Sequence, residues 1–149
     1  MRLTSPVFED GGNLPEKYSY IRENVNPPLE FSEVPEEASS LCIILDDPDA
    51  MEPAGKIWLH WTIWNISTDV EIIEEGEAPG IEGTTDFRDI GYGGPNPPDG
   101  THTYVFRAYA LDTELDLGEG ASREELEEAM ENHIIDKTTL KGDFVPIDS

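Results

Sequence analysis

The sequence predicts an all-β protein, a β-rich sandwich of antiparallel sheets with one or two peripheral helices. Three apolar or alternating runs, 41–45, 57–66 and 102–111, have the length of strands and end in turn residues. The 12 Pro and 13 Gly residues are spread along the chain, as expected for short strands joined by turns. Helix signals are strong in only one segment. A length of 149 residues suits one core, so residues 1–149 are expected to form a single domain.

The three long runs differ in pattern. Residues 41–45 are apolar on both faces, and residues 57–66 carry bulky side chains on both faces, which favours central strands between layers. Residues 102–111 alternate, with even-numbered residues on one face and odd-numbered residues on the other. These runs therefore predict a central sheet.

Shorter strands are expected around this sheet, within residues 1–8 and at 142–146. Residues 26–31 are expected to form an edge strand, because Pro27 and Pro28 cannot donate to a ladder. The segment 68–94 is expected to be mostly loop with one short strand.

One helix has a clear start. Ser122 is a good N-cap, and Glu125 three residues later completes a capping box. One helical face is predicted to carry Leu126, Ala129, Met130 and His133.

The formal net charge of −24 comes from 33 acidic and 9 basic residues. A nucleic-acid-binding surface needs clustered Lys and Arg, so the charge argues against a nucleic-acid partner and against docking on anionic lipid. Self-repulsion of this size is tolerable at ~1 M salt, where the Debye length is about 3 Å. The expectation is a halophilic, cytoplasmic protein. An acidic interaction surface is the alternative.

No signal-peptide stretch opens the chain, and no run approaches the ~20 apolar residues of a membrane span, so stable membrane insertion is not expected. Cys42 is the single cysteine and lies in an apolar run. It is predicted to be a buried core thiol.

Four polar residues lie next to the predicted strands: Asp47 and Asp49 after the first run, His60 inside the second and His102 at the start of the third. Each has a simple structural explanation. Asp-Pro-Asp is common turn chemistry, and a lone His among apolar residues is more often a core residue. The glycine- and proline-rich loop 91–100 is also explained as a connection.

Their combination is more specific. Asp-Pro-Asp-Ala, Trp-Leu-His-Trp, Gly-Tyr-Gly-Gly-Pro-Asn-Pro-Pro-Asp-Gly-Thr-His and Tyr-Val-Phe-Arg-Ala-Tyr-Ala-Leu-Asp occur in that order. This resembles the phosphatidylethanolamine-binding family, and closely its prokaryotic Raf-kinase-inhibitor-like branch. The resemblance runs from about Pro6 to Pro146. One departure is Met51, which stands where the family usually has a proline.

The resemblance implies a small pocket for phosphate-like anions. The ligand-binding residues that it implies are Asp47, Asp49, Trp58, His60, Gly93, Gly94, Pro95, His102 and Tyr104. Histidine N–H groups, glycine backbone N–H groups and the Tyr104 hydroxyl are suitable donors to such an anion. The aspartates would orient the imidazoles and raise their basicity.

The leading hypothesis is a binding protein without catalysis, cofactor or metal. Its ligand would be a phosphorylated molecule or a phospholipid head group. The alternative is a hydrolase or metal-dependent enzyme that uses the Asp/His cluster. The resemblance also implies a homodimer, and the family name implies a regulatory protein partner.

Overall fold

A computed structural model describes residues 1–147. Its strands form two sheets, as predicted. The smaller has the order β1-β3-β6, and the larger has the order β2-β9-β8-β4-β5-β7. The strands are β1 (Arg2–Thr4), β2 (Gly12–Asn13), β3 (Leu29–Ser32), β4 (Ser40–Asp47), β5 (Trp58–Ile66), β6 (Ile72–Ile73), β7 (Ile81–Glu82), β8 (His102–Leu111) and β9 (Ile134–Phe144). The helices are α1 (Met51–Ala54) and α2 (Arg123–Met130).

The large sheet is buried on both faces at its centre. One face packs against the small sheet through side chains that include Ile43, Trp61 and Phe106. The other face packs under α2, where Ile44, Trp64 and Leu126 belong to a second apolar cluster. The strands predicted to be apolar on both faces, β4 and β5, therefore lie between two layers, and β8 begins and ends at the predicted residues.

Cys42 lies in the second cluster with no exposed surface, which confirms the prediction of a core thiol. The desolvation that accompanies this burial raises the pKa of its thiol. The thiol is therefore inert at neutral pH.

Helix α2 begins as predicted, with the Ser122 Oγ accepting from the Glu125 N–H and the Glu125 carboxylate accepting from the Ser122 N–H. It ends earlier than predicted. Asn132 has a left-handed φ of 68°, which cannot continue the helix, so His133 lies beyond its end. Instead of facing the core, the His133 Nδ1 lies 2.7 Å from an Asp112 carboxylate oxygen.

An ion cluster fastens α2 to the sheet. The Arg107 guanidinium donates two hydrogen bonds to the Asp46 carboxylate, at 2.9 and 3.1 Å. Arg123, the first residue of α2, lies 2.9 Å from the same carboxylate. Asp46 is buried, so the two arginines balance the charge that it carries into the interior.

Four expectations for the outer strands need correction. The segment 68–94, which was predicted to hold one short strand, holds two, β6 and β7. The strand predicted at the edge, β3, lies between β1 and β6, and Pro27 and Pro28 precede the ladder. The final strand is not confined to 142–146, because β9 pairs with β8 along its whole length. One pair, β2 with β9, is parallel. No helix within residues 1–147 is long and apolar enough to cross a membrane.

Candidate anion-binding site

The ends of three neighbouring strands bring the predicted site residues together. In the large sheet β4 lies between β8 and β5 and runs antiparallel to both. The end of β4 therefore meets the beginnings of β5 and β8 at one end of the sheet. Asp47 is the last residue of β4, Trp58 the first of β5 and His102 the first of β8.

A β-bulge directs His60 toward these strand ends. Leu45 of β4 pairs with Trp61, but the next residue, Asp46, pairs with Leu59, so His60 is an extra residue on β5. Such a bulge re-aims a side chain and is common beside functional sites. It explains how a histidine inside a very apolar strand avoids the middle of the core.

The backbone holds the His60 ring in one orientation. Its Nδ1 lies 2.6 Å from the carbonyl oxygen of Gly93. Because a carbonyl only accepts, Nδ1 must carry the proton in this hydrogen bond. The imidazole is buried, and this desolvation lowers the pKa of His60 although the carbonyl oxygens of Gly93 and Gly94 oppose the change. The ring is therefore neutral, with its acceptor at Nε2.

Two carboxylates hold the His102 ring. Its Nδ1 lies 2.5 Å from Asp47 Oδ2, and its Nε2 lies 2.6 Å from Asp99 Oδ1. Ionised carboxylates only accept, so both ring nitrogens must donate and the ring is an imidazolium. Burial alone would lower the pKa of His102, but the hydrogen bonds to Asp47 and Asp99 outweigh it and raise the pKa.

Both histidines line one cavity of about 220 Å³, here called the histidine cavity. Its lining residues come from β4, the turn after β4, α1, β5, β8 and two loops. They are Asp47, Ala50, Pro53, Ala54, Trp58, His60, Phe87, Asn96, Pro97, Pro98, His102 and Tyr104.

Aromatic rings position the two imidazoles. The Tyr104 ring lies edge-on to His60 at a centroid distance of 5.1 Å and lies 6.3 Å from His102. Phe87 packs against the His60 ring at 5.3 Å and against Trp58 at 5.7 Å. Burial and the nearby Asp47 carboxylate raise the pKa of Tyr104, so its hydroxyl keeps its proton. The site therefore combines one imidazolium held by two carboxylates, one neutral imidazole and one hydroxyl, beside aromatic and proline side chains.

Of the residues that the sequence suggested, five line the histidine cavity: Asp47, Trp58, His60, His102 and Tyr104. The Asp47 carboxylate has two tasks. One oxygen accepts from the His102 ring, and the other accepts from the Asp49 N–H at 2.9 Å. The explanation of Asp-Pro-Asp as turn chemistry and its explanation as a histidine partner therefore both hold.

The other four lie beside the cavity and make contacts within the fold. Asp49 accepts from the Thr103 N–H at 2.8 Å. The Gly93 N–H donates to the carbonyl of His60, and the Gly94 N–H donates to the Asn24 side chain. The Pro95 carbonyl accepts from the Ser19 hydroxyl. The glycine N–H groups suggested as anion donors are thus already engaged in this structure.

These glycines are needed for close packing. A Cβ atom on Gly94 would overlap the backbone carbonyl of Tyr18, and one on Gly93 would overlap the Phe87 ring. The glycine loop therefore presses against its neighbours and presents the Gly93 carbonyl to His60.

Two of the residues that sequence reasoning missed contact the histidines directly. Phe87 comes from a Glu- and Gly-rich stretch that was expected to be loop. Asp99 lies in the glycine- and proline-rich loop 91–100, which its composition explains as a connection, and its position three residues before His102 is the one local signal of their contact.

Comparison with known proteins agrees with this architecture. The chain matches the family model of the phosphatidylethanolamine-binding proteins over residues 4–145. A protein of Methanothermobacter thermautotrophicus, named "UPF0098 protein", is 46% identical over 95% of this chain and 97% of its own length.

Two crystal structures are also similar. A phosphatidylethanolamine-binding protein homologue from Chlamydia trachomatis has a TM-score of 0.90 and 42% identity, over 95% of this chain and 94% of its own. Escherichia coli YbcL, described as a new member of the mammalian family, has a TM-score of 0.88 and 26% identity, over 99% and 98% of the two chains. Because its sequence matches the family model and its fold matches those of these two homologues, this chain belongs to the phosphatidylethanolamine-binding protein family.

Proposed function

We propose that this protein binds the phosphate-type group of a phosphorylated ligand or a phospholipid head group in the histidine cavity, without catalysis. The observation that carries the proposal is the pair of histidines in unlike states on one small cavity. His102 supplies an imidazolium that Asp47 and Asp99 hold, and His60 supplies a neutral imidazole with its Nε2 acceptor. The cavity volume of about 220 Å³ suits a head group better than a large ligand.

The neutral state of His60 means that the ligand must provide a hydrogen-bond donor to Nε2. The His60 acceptor must meet a proton, which either comes on the phosphate or is taken up by the ring. A phosphate monoester has its second pKa at about 6, so the monoanion with one O–H group is available in mildly acidic solution. Binding of the phosphate group is therefore expected to be linked to proton uptake.

The first test is calorimetry with methyl phosphate, a simple phosphate monoester, from about pH 5.5 to 8.5 at constant ionic strength. The affinity should fall as the pH rises, because the phosphate loses its O–H group and His102 approaches its raised pKa. Titrations in buffers of different ionisation enthalpy should also reveal protons taken up on binding. An affinity that increases with pH would contradict the proposal.

A matched pair of variants links binding to the cavity. His60→Phe keeps an aromatic ring and removes both nitrogens, so phosphate binding should weaken by at least about tenfold, the usual worth of a charge-assisted hydrogen bond. His133→Phe makes the same change outside the cavity and should leave the affinity unchanged. Equal affinity in all three proteins would contradict binding in the histidine cavity.

The acidic surface sets the salt dependence. A net charge of −24 repels an anion at low ionic strength, so moderate salt should strengthen phosphate binding until salt anions compete for the site. The same charge opposes docking on anionic lipid, which favours capture of a free phosphorylated molecule. This behaviour fits the high-salt cytoplasm inferred from the sequence.

A further inference from the structure

Asp99 occupies a hydrogen-bond donor that an anion in the histidine cavity would need. Its carboxylate lies 2.6 Å from His102 Nε2, and the other ring nitrogen is taken by Asp47. The structure thus has no free N–H on His102. The imidazolium lines the cavity, but a phosphate group that enters finds both of its donors engaged.

The charges at this point oppose an anion. The two carboxylates of Asp47 and Asp99 outnumber the single imidazolium of His102, so the group carries a net negative charge. A phosphate oxygen and the Asp99 carboxylate are similar acceptors, both anionic and both suited to an imidazolium N–H. They therefore compete for the same hydrogen.

The two aspartates differ in how firmly they are held. The Asp47 side chain is only 4% exposed and also accepts from the Asp49 N–H, whereas the Asp99 side chain is 48% exposed. Asp99 is followed by Gly100, around which the space that a Cβ would need is open. Moving Asp99 into water therefore costs little, and moving Asp47 would leave buried groups unpaired.

We propose that Asp99 is a built-in competitor of the ligand. Its carboxylate occupies His102 Nε2 in the empty protein, and a phosphate-type anion binds by displacing it. This inference rests on the function proposed above and adds the residue that sets the affinity. The displaced carboxylate turns to solvent, which leaves the imidazolium to Asp47 and the anion.

The test is the affinity of inorganic phosphate for the full chain and for Asp99→Ala, by calorimetry at one pH and one ionic strength. Removal of the competitor should strengthen binding by about twofold to fivefold, the range expected for a half-exposed ion pair. Asp99→Asn, which keeps an acceptor without its charge, should lie between the two.

Asp69→Ala is the matched control, since it also removes one exposed negative charge. Asp69 follows the far end of β5, about 25 Å from the strand ends that form the site at the usual rise of a β-strand. Its effect on phosphate affinity should be negligible. An increase in Asp69→Ala equal to that in Asp99→Ala would mean that net charge alone is responsible, and would overturn the inference.

The remaining outcomes separate the two proposals. Binding to the unaltered chain with equal or weaker binding to Asp99→Ala would overturn the role of Asp99 and leave the proposed function intact. Binding to Asp99→Ala alone would support the inference in its strongest form. No binding to any of these proteins would overturn both proposals.

Discussion

The loop before β8 supports two histidines in two different ways. At its beginning the backbone carbonyl of Gly93 accepts from His60, and the surrounding backbone is packed too tightly for a Cβ atom. At its end the carboxylate of Asp99 accepts from His102, and that side chain is half exposed. His60 is thus held by a closely packed backbone, and His102 is held by ion pairs with carboxylates.

This difference sets the protonation state of each ring. The Gly93 carbonyl fixes the tautomer of His60 but carries no negative charge to stabilise an imidazolium. The effect of burial on the pKa is therefore larger than that of the hydrogen bond, and His60 stays neutral. Two carboxylates reverse the effect of burial at His102. The two rings on this cavity therefore have pKa values shifted in opposite directions. A substitution at Asp47 or Asp99, or in the glycine loop, tests each cause separately.

The largest loss of stability is expected for Asp47→Ala. This change removes the buried partner of the His102 imidazolium, and breaking such a pair costs about 3 kcal/mol. The free energy of unfolding from urea titrations at pH 6 measures it. A loss below about 1 kcal/mol would mean that charge does not hold His102 in place.

A smaller loss is expected for Gly94→Ala, about 2 kcal/mol, because the new Cβ would overlap the Tyr18 carbonyl and the backbone must shift. Gly100→Ala is the matched control in the same loop, with open space around the added methyl, and should change stability by less than about 1 kcal/mol. Equal effects of the two changes would contradict the claim that shape holds the first part of the loop.

The pH dependence of stability should have opposite signs at the two histidines. The pKa of His102 is raised in the folded protein, so its stabilising contribution is complete below about 6.5, the ordinary value, and is lost as the pH rises through the raised pKa. The pKa of His60 is lowered, so its neutral ring costs stability as the pH falls below that ordinary value.

Urea titrations at several pH values can separate the two effects. The stability difference between the unaltered chain and His102→Gln should shrink as the pH rises. The corresponding difference for His60→Gln should shrink as the pH falls. Parallel curves for the two variants would show that the rings do not differ in protonation.

The smallest effect on stability is expected for Asp99→Ala, below about 1 kcal/mol, because the carboxylate is half exposed and water replaces it easily. Thermal unfolding beside Asp69→Ala checks this. A loss as large as that of Asp47→Ala would mean that Asp99 is a structural anchor and is not readily displaced.

Local patterns predicted the central strands because each buries its own apolar side chains. They were poorer for β9, whose first half is exposed and whose strand form depends on pairing with β8. The end of α2 was misplaced because His133 fits the helical spacing, which outweighed the signal of Asn132, a residue type that often takes a left-handed backbone where a helix ends.

The site was predicted in the same uneven way. Asp47, His60 and His102 adjoin predicted strands, but only the resemblance to the family implied that they meet in one pocket. The contacts of Asp99 and Phe87 depend on how two loops fold back over the sheet. An aspartate in a proline-rich loop reads as turn chemistry until its neighbours in space are known.

Asp46 and Asp47 are adjacent in β4, yet they serve opposite sides of the sheet. The first binds the arginines that attach α2, and the second binds His102. A slip of β4 by one residue would exchange the two carboxylates, release the helix and leave the imidazolium without its partner at once. This dipeptide therefore favours one alignment of β4, because a chain folded out of register would lose both the attachment of α2 and the carboxylate that holds the His102 ring.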